Sequence, residues 1–340
     1  MIDAYKISSM VVIDLKKNFM STSKQQEGVF PDLPIEILSQ ILSDACMEPT
    51  DSYHQSLVNR KFSHIVQQKL YGHISLTSGQ PKAWEQLLGS LRGNAQLRPL
   101  VHHLRLESPS GIRWNPPVPE SVDMALREIL GLHLPSLESL TLKPDKINLS
   151  IYEIDPMSPV RYVEVHYLSL EQAATLMLLP CVEKIHIKCI TNTVERLFSG
   201  QAPSACSPLV RAVSRFSTVR DIRIDVGFEP HTLLSPFVTW PRELKSLHGS
   251  MIVVGGLSPI SVDRYLVPVR ETLEVLSMVA NTDEYTIVDG TFIAFEKFKY
   301  LKDLNTTASL LFGHSWNVPS AERAGLYRRL PTTLESLTVG

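Results

Sequence analysis

One short pattern recurs along the chain from about residue 80 to its end: an apolar residue, two mostly polar ones, then apolar, polar, apolar. It stands as VHHLRL from Val101, LESLTL from Leu137, VRYVEV from Val160, VEKIHI from Val182, VRDIRI from Val219, LKSLHG from Leu244, LEVLSM from Leu273, LKDLNT from Leu301 and LESLTV from Leu334. Alternation at period two predicts a short strand at each. The fourth positions, Leu104, Leu140, Val163, Ile185, Ile222, Leu247, Leu276, Leu304 and Leu337, are the expected inward anchors, separated by roughly 22 to 37 residues. Helix-like spacing fills several intervals, as in KAWEQLLGSLRG, ESVDMALREILGLHL, LSLEQAATLMLL and PSAERAGLYRRL.

A strand that buries one set of side chains turns the alternate set to the opposite face. In the earlier motifs that face takes His103, Arg105 and Glu107, then Tyr162, Glu164 and His166, Lys184, His186 and Lys188, and Asp221, Arg223 and Asp225. The later motifs contribute smaller groups, among them Ser246, Ser250, Ser277, Asn305 and Thr338. Charge, histidine and tyrosine together offer specific contacts, whereas small hydroxyls offer few anchors. A recognition patch is therefore expected at Glu164, His186, Lys188 and Arg223.

The N-terminal part follows another rule. Residues 1–29 include the polar stretch STSKQQEG and read as a flexible lead-in. In DLPIEILSQILSDAC, from Asp32 to Cys46, the apolar residues Leu33, Ile35, Ile37, Leu38, Ile41, Leu42 and Ala45 spread over roughly 200° of a helix, where a single core needs a stripe of about 100°. Pro34 suits a first helical turn, and Glu36 suits the positive end of the helix dipole. One apolar face folds the helix against its own domain; the other needs a partner in the chain or on another protein. YHQSLVNR and KFSHIVQQKLY, the latter with Phe62, Ile65, Val66 and Leu70 at helical spacing, predict two more short helices. A unit this small must lean on a neighbour.

The ordered series Leu33-Pro34, Glu36-Ile37, Ile41-Leu42, Leu57-Val58, Arg60-Lys61, Phe62 and Leu70-Tyr71, leading into HISL, resembles an F-box of the kind found in many fungal proteins, from Phe30 to Leu76. It departs from the usual pattern at Asn59, where a cysteine is frequent, and in DSYHQ, which lacks the leucines that begin the second helix. Strand-plus-helix units cannot bury an apolar face singly, and residues 80–340 resemble an irregular leucine-rich-repeat array. The expected fold is thus α/β: a small N-terminal three-helix F-box over 30–76, followed by an irregular leucine-rich-repeat-like solenoid. The asparagine that usually satisfies backbone groups after each strand is mostly missing, so loops of variable length are expected to do that work. An ordinary α/β domain whose strands share a pattern is the competing reading. LESLTVG ends the chain with no capping helix, which leaves an open edge: either a neighbouring strand caps it or the region is truncated and the natural chain continues.

Composition is that of an ordinary globular protein, 340 residues with 44% hydrophobic and 20% charged. A formal net charge of −2 supplies no basic excess to neutralise phosphates, so neither nucleic acid nor an anionic membrane is an expected partner. The apolar run at Met10 to Ile13 is too short for a secretion signal, and AATLMLLPCV is half a membrane span with a proline in it. Cys46, Cys181, Cys189 and Cys206 form no CxxC pair and read as packing residues in a reducing compartment, cytoplasm or nucleus.

Chemistry-bearing motifs are sparse. There is no GxxxxGK[ST] and no HExxH. FGHSWN places Gly313 and Ser315 as in a nucleophile elbow but has Asn317 where the closing glycine belongs. His186 lies near Cys181 and Cys189 without recognisable metal spacing. No catalytic residue, metal or cofactor is expected, and the chain reads as a non-enzyme. The resemblance implies the substrate-recognition subunit of a cullin-RING ubiquitin ligase of the SCF type. Leu33, Pro34, Ile37, Ile41, Leu57 and Val58 would hold a Skp-type adaptor, and the repeat region, through Glu164, His186, Lys188 and Arg223, an unknown protein substrate. The alternative from another class is a non-ligase repeat scaffold whose F-box-like helices cap the solenoid; a serine hydrolase centred on Ser315 is a third, disfavoured reading.

Overall fold

The computed structural model describes residues 60–107, 118–143, 157–168, 170–190, 216–226, 237–252, 259–281, 293–307, 310–311 and 329–340. Leu33, Pro34, Ile37, Ile41, Leu57 and Val58, and with them most of the F-box-like segment, lie outside the described residues, as does Ser315. The chain divides into two compact units, Met1–Ser158 and Pro159–Gly340.

Among the described residues the first unit begins with helix α1 (Arg60–Gly72), which runs directly into strand β1 (His73–Thr77). Helix α2 (Pro81–Gly93), a 3-10 turn (Ala95–Leu100), β2 (His103–Glu107), α3 (Glu120–Gly131) and β3 (Ser139–Leu142) follow. Pro81 at the start of α2 costs no hydrogen bond, and Ala83, Trp84, Leu87 and Leu91 form its buried stripe. The Trp84 indole Nε1 donates to the Thr77 carbonyl at 3.1 Å and ties α2 to the end of β1. β1, β2 and β3 pair in parallel, with Ile74 opposite Leu104 and Leu104 opposite Leu140.

The second unit carries β4 (Tyr162–Leu168), α4 (Leu170–Met177), β5 (Lys184–Ile190), β6 (Asp221–Val226), β7 (Ser246–Ile252), α5 (Pro259–Leu266), β8 (Val275–Asn281), β9 (Asp303–Thr306) and β10 (Ser336–Val339). Its strands also pair in parallel, each with its neighbour in sequence, and one anchor row runs through all seven: Val163, Ile185, Ile222, Leu247, Leu276, Leu304, Leu337. From Val163 to Leu304 these anchors are buried to within 2% of complete. No helix among the described residues is long and apolar enough to cross a membrane.

This overturns the expected fold class. The described residues of each unit form an all-parallel sheet in chain order, three strands in the first and seven in the second, with few helices, an α/β fold, rather than a helical F-box joined to a leucine-rich-repeat solenoid. The physical reason lies in the boundary at residues 60–76. Tyr71, Gly72, His73, Ile74, Ser75 and Leu76 carry the same apolar spacing as the later motifs, and β1 pairs with β2 as its first strand. α1 buries Ile65 and Val66, and the His102 N–H donates to the Gly72 carbonyl at 3.3 Å, so this stretch is continuous with the sheet.

Where the chain enters most strands, the backbone itself makes a recurrent bond. The carbonyl of the second motif residue accepts from two N–H groups of the next motif: Arg161 O from Glu183 at 2.9 Å and Lys184 at 3.0 Å, and Lys302 O from Glu335 at 2.8 Å and Ser336 at 2.9 Å. The same double acceptance recurs at His102, Glu183, Arg220, Lys245 and Glu274. Threonines just before two motifs add to it, with Thr218 Oγ1 donating to Val182 O at 2.9 Å and Thr333 Oγ1 to Leu301 O at 2.8 Å. The carbonyls at these strand entries are thereby satisfied without a common side chain.

One core position breaks the apolar rule. Thr306 sits opposite Met278 and Val339, is 1% exposed, and its hydroxyl has no hydrogen-bond partner. An unsatisfied buried hydroxyl costs more than it contributes, and valine has nearly its shape. Thr306→Val is expected to raise stability by about 1 kcal/mol in a denaturant melt.

At the start of β1 and β2 the imidazoles of His73 and His103 stack, centroids 4.2 Å apart and planes 12° from parallel. Burial first, and then the charge of His73, hold His103 below the ordinary histidine range; Glu138 acts in the opposite direction. The fold therefore favours neutral His103, and its contribution is present above the unfolded pKa of about 6.5 and lost as pH falls below it. Thermal melts between pH 7.5 and 5 should show the first unit weakening with acid, and His103→Gln should flatten that limb.

Candidate functional site

The face opposite the anchors is mostly polar: alternation turns the residues between the anchors outward, and these are largely charged or hydroxylic, with Val275 and Val279 on β8 as exceptions. On β4, β5 and β6 it carries two rows in register. Tyr162 stands opposite Lys184 and Lys184 opposite Asp221; Glu164 stands opposite His186 and His186 opposite Arg223, which in turn faces His248 on β7. The expected residues Glu164, His186 and Arg223 thus form one contiguous row across three strands. Lys188 lies two residues beyond His186 on β5, exposed.

Asp225 organises this row. One carboxylate oxygen meets His186 Nε2 at 2.8 Å, and the other accepts from Arg223 Nε at 2.8 Å. Burial pushes the Asp225 carboxyl up, but the hydrogen bonds from Arg223 and His186 outweigh it and hold the group below the ordinary carboxylate range. The same bond keeps the Arg223 guanidinium charge fixed in place, with 60% of the side chain exposed. On the neighbouring strand the Tyr162 hydroxyl donates to Glu164 Oε2 at 3.2 Å, and Glu164 Oε1 lies 3.9 Å from His166 Nε2. Burial, then the Glu164 charge, push the Tyr162 phenol up to about 12, so it remains a donor at neutral pH. Lys184 and Asp221 are a looser pair at 3.7 Å. Lys188 forms no ion pair among the described residues.

Asp225 and Tyr162 belong to this cluster although sequence reasoning left both outside the patch. Spacing carried the signal for Asp225: residues i and i+2 of a strand share a face, so an aspartate two positions after an exposed arginine is placed to hold it. Tyr162 and Glu164 obey the same rule.

His186 is committed to Asp225, which is itself shared with Arg223. Ser246 Oγ lies 2.7 Å from His248 Nε2, but the register neighbours of that histidine are Arg223 and Ser277. Neither supplies the carboxylate that orients a catalytic imidazole. Among the described residues no three His, Cys, Asp or Glu side chains gather as metal ligands.

Further along, β7 to β10 bring small side chains together, and the face is recessed there. A depression of about 170 Å³ is lined by His248, Val275, Ser277, Asp303, Asn305, Ser336 and Thr338, with Leu276 and Leu304 beneath. No protein-family model matches the chain, and a search of curated proteins finds no significant relative.

Proposed function

We propose that the chain is the substrate-recognition subunit of an SCF-type cullin-RING ubiquitin ligase, acting by binding rather than by bond chemistry in an intracellular, reducing compartment. The ordered F-box-like series around the two-faced apolar segment Asp32 to Cys46 carries this reading. Leu33, Pro34, Ile37, Ile41, Leu57 and Val58 form the surface for a Skp-type adaptor. The polar strand face holds a protein substrate through Glu164, His186, Lys188 and Arg223, with Asp225 fixing the last of these. Binding both partners brings a substrate lysine to the ubiquitin-charged enzyme, catalysis by proximity. Co-expression and co-purification with a Skp-type adaptor tests the assignment, and a chain that never retains the adaptor refutes it.

One observation favours a second reading. α1, the last helix of the F-box-like segment, buries Ile65 and Val66 and passes without a break into the sheet. The segment then serves as the end cover of the sheet in a scaffold outside any ligase. Deleting residues 30–76 removes β1 in either case, so adaptor retention, not truncation, separates the two.

The substrate patch has its own test. Lys188→Glu is the cleaner variant, because Lys188 breaks no described ion pair, whereas Arg223→Glu also sets a second carboxylate beside Asp225. Each charge reversal should weaken capture of proximity-labelled substrates about tenfold while adaptor binding persists. Unchanged capture by both would move the patch elsewhere.

A further inference from the structure

The geometry points to a second element of substrate specificity on the same face: the depression over β7–β10 holds the basic side chain, lysine or arginine, of a bound protein segment, with Asp303 as its counter-ion. This rests on reading the strand face as a protein-binding surface.

The first support is a contrast among carboxylates. On the outward face of the described strands, Glu107 has Arg105 and also Lys143, at 3.7 Å. Glu164 has His166 at 3.9 Å, Asp221 has Lys184 at 3.7 Å, and Asp225 has Arg223 and His186. Asp303 is exposed and has no cationic partner among the described residues. Its register neighbours explain this: Val275 on one side and Ser336 on the other offer no positive charge. A carboxylate at the wall of a recess, left unpaired where its counterparts are paired, is available to a cation from outside.

The second support is size and lining. A cavity of about 170 Å³ falls short of the roughly 300–1,000 Å³ that ordinary ligand pockets occupy, so it suits one side chain rather than a cofactor. Asn305 Nδ2 donates to Ser277 Oγ at 3.2 Å, which leaves its Oδ1 as an acceptor. The Ser336 and Thr338 hydroxyls add further acceptors, and Val275 offers an apolar surface to the methylene stem of a long basic side chain. An ammonium or guanidinium thus meets one charge and several neutral acceptors. The small residues that look bland in the sequence are what make the recess.

The test uses the full chain, labelled with nitrogen-15, and the peptide acetyl-Gly-Lys-Gly-amide at millimolar concentration. Saturable shifts of the Asn305 side-chain amide and of the backbone amides of 303–305 are expected. The same peptide with its lysine acetylated should leave those signals in place. Asp303→Asn should weaken the lysine peptide about tenfold. Val275→Lys, which sets a cation of the chain's own beside Asp303, should abolish the response. Equal shifts from the acetylated peptide, wild-type affinity in either variant, or no response at Asn305 to the lysine peptide overturns the proposal. Adaptor binding plays no part in this measurement, so the pocket and the ligase assignment fail separately.

Discussion

Ile222→Ala is expected to cost about 2–5 kcal/mol of stability, among the largest effects of any single truncation in the sheet. Ile222 is 0% exposed on β6, with Ile185 opposite it on β5 and Leu247 on β7. A parallel sheet fixes both neighbours by its hydrogen-bond ladder, so they cannot close the space that truncation opens, and a cavity term adds to the lost transfer energy. Ile185→Ala should cost a comparable amount for the same reason. Leu140, buried on β3, belongs to the first unit, and if the units melt separately Leu140→Ala will shift a different transition from Ile222→Ala. Denaturant melts decide the matter: losses below about 1 kcal/mol at all three positions would mean that the anchor row is not the core.

The strands were legible in the sequence to a useful precision. In each of the nine motifs the strand begins at the third residue, from His103 in β2 to Ser336 in β10. Alternation of apolar and polar residues is a local property, and it reports a strand wherever one face is buried. How strands associate is not local, and there the expectation failed. A period of two names the buried face but is silent on which edge pairs with which, so a repeat array and a continuous parallel sheet share one signature. The segment leading into HISL shows the difficulty in one place. Tyr71, Ile74 and Leu76 match the apolar positions of the later motifs; the F-box resemblance set them, with a strand-like HISL, at the end of the N-terminal segment, and the pairing of β1 with β2 joins that strand to the sheet. Side-chain contacts were legible in the same partial way. Register put Glu164, His186 and Arg223 in one row, because spacing within the motifs aligned them. The bridging role of Asp225 depends on which rotamers reach across strands, and the recess over β8 and β9 depends on the size of neighbours brought together by pairing.

Ile37→Asp should abolish adaptor retention in the co-purification described above, a loss of more than a hundredfold, while the sheet stays folded. The argument starts from surplus. Seven apolar residues from Leu33 to Ala45 cover about twice the helical stripe that one core consumes, so part of that surface is left for a partner. In the F-box resemblance Ile37, with Leu33, Pro34 and Ile41, falls in the adaptor contact. A carboxylate there must either be desolvated without a partner or hold the two surfaces apart, and both outcomes exceed the worth of a single apolar contact. Ser39→Asp changes the charge of the same segment by the same amount without touching an apolar position, and it should bind as the wild type does. Circular dichroism and a thermal melt accompany both variants, since only a folded Ile37→Asp chain speaks to the interface. If that chain keeps the adaptor, Ile37 lies outside the contact and the interface assignment falls, whereas a wild-type chain that never retains the adaptor gives the scaffold reading precedence over the ligase.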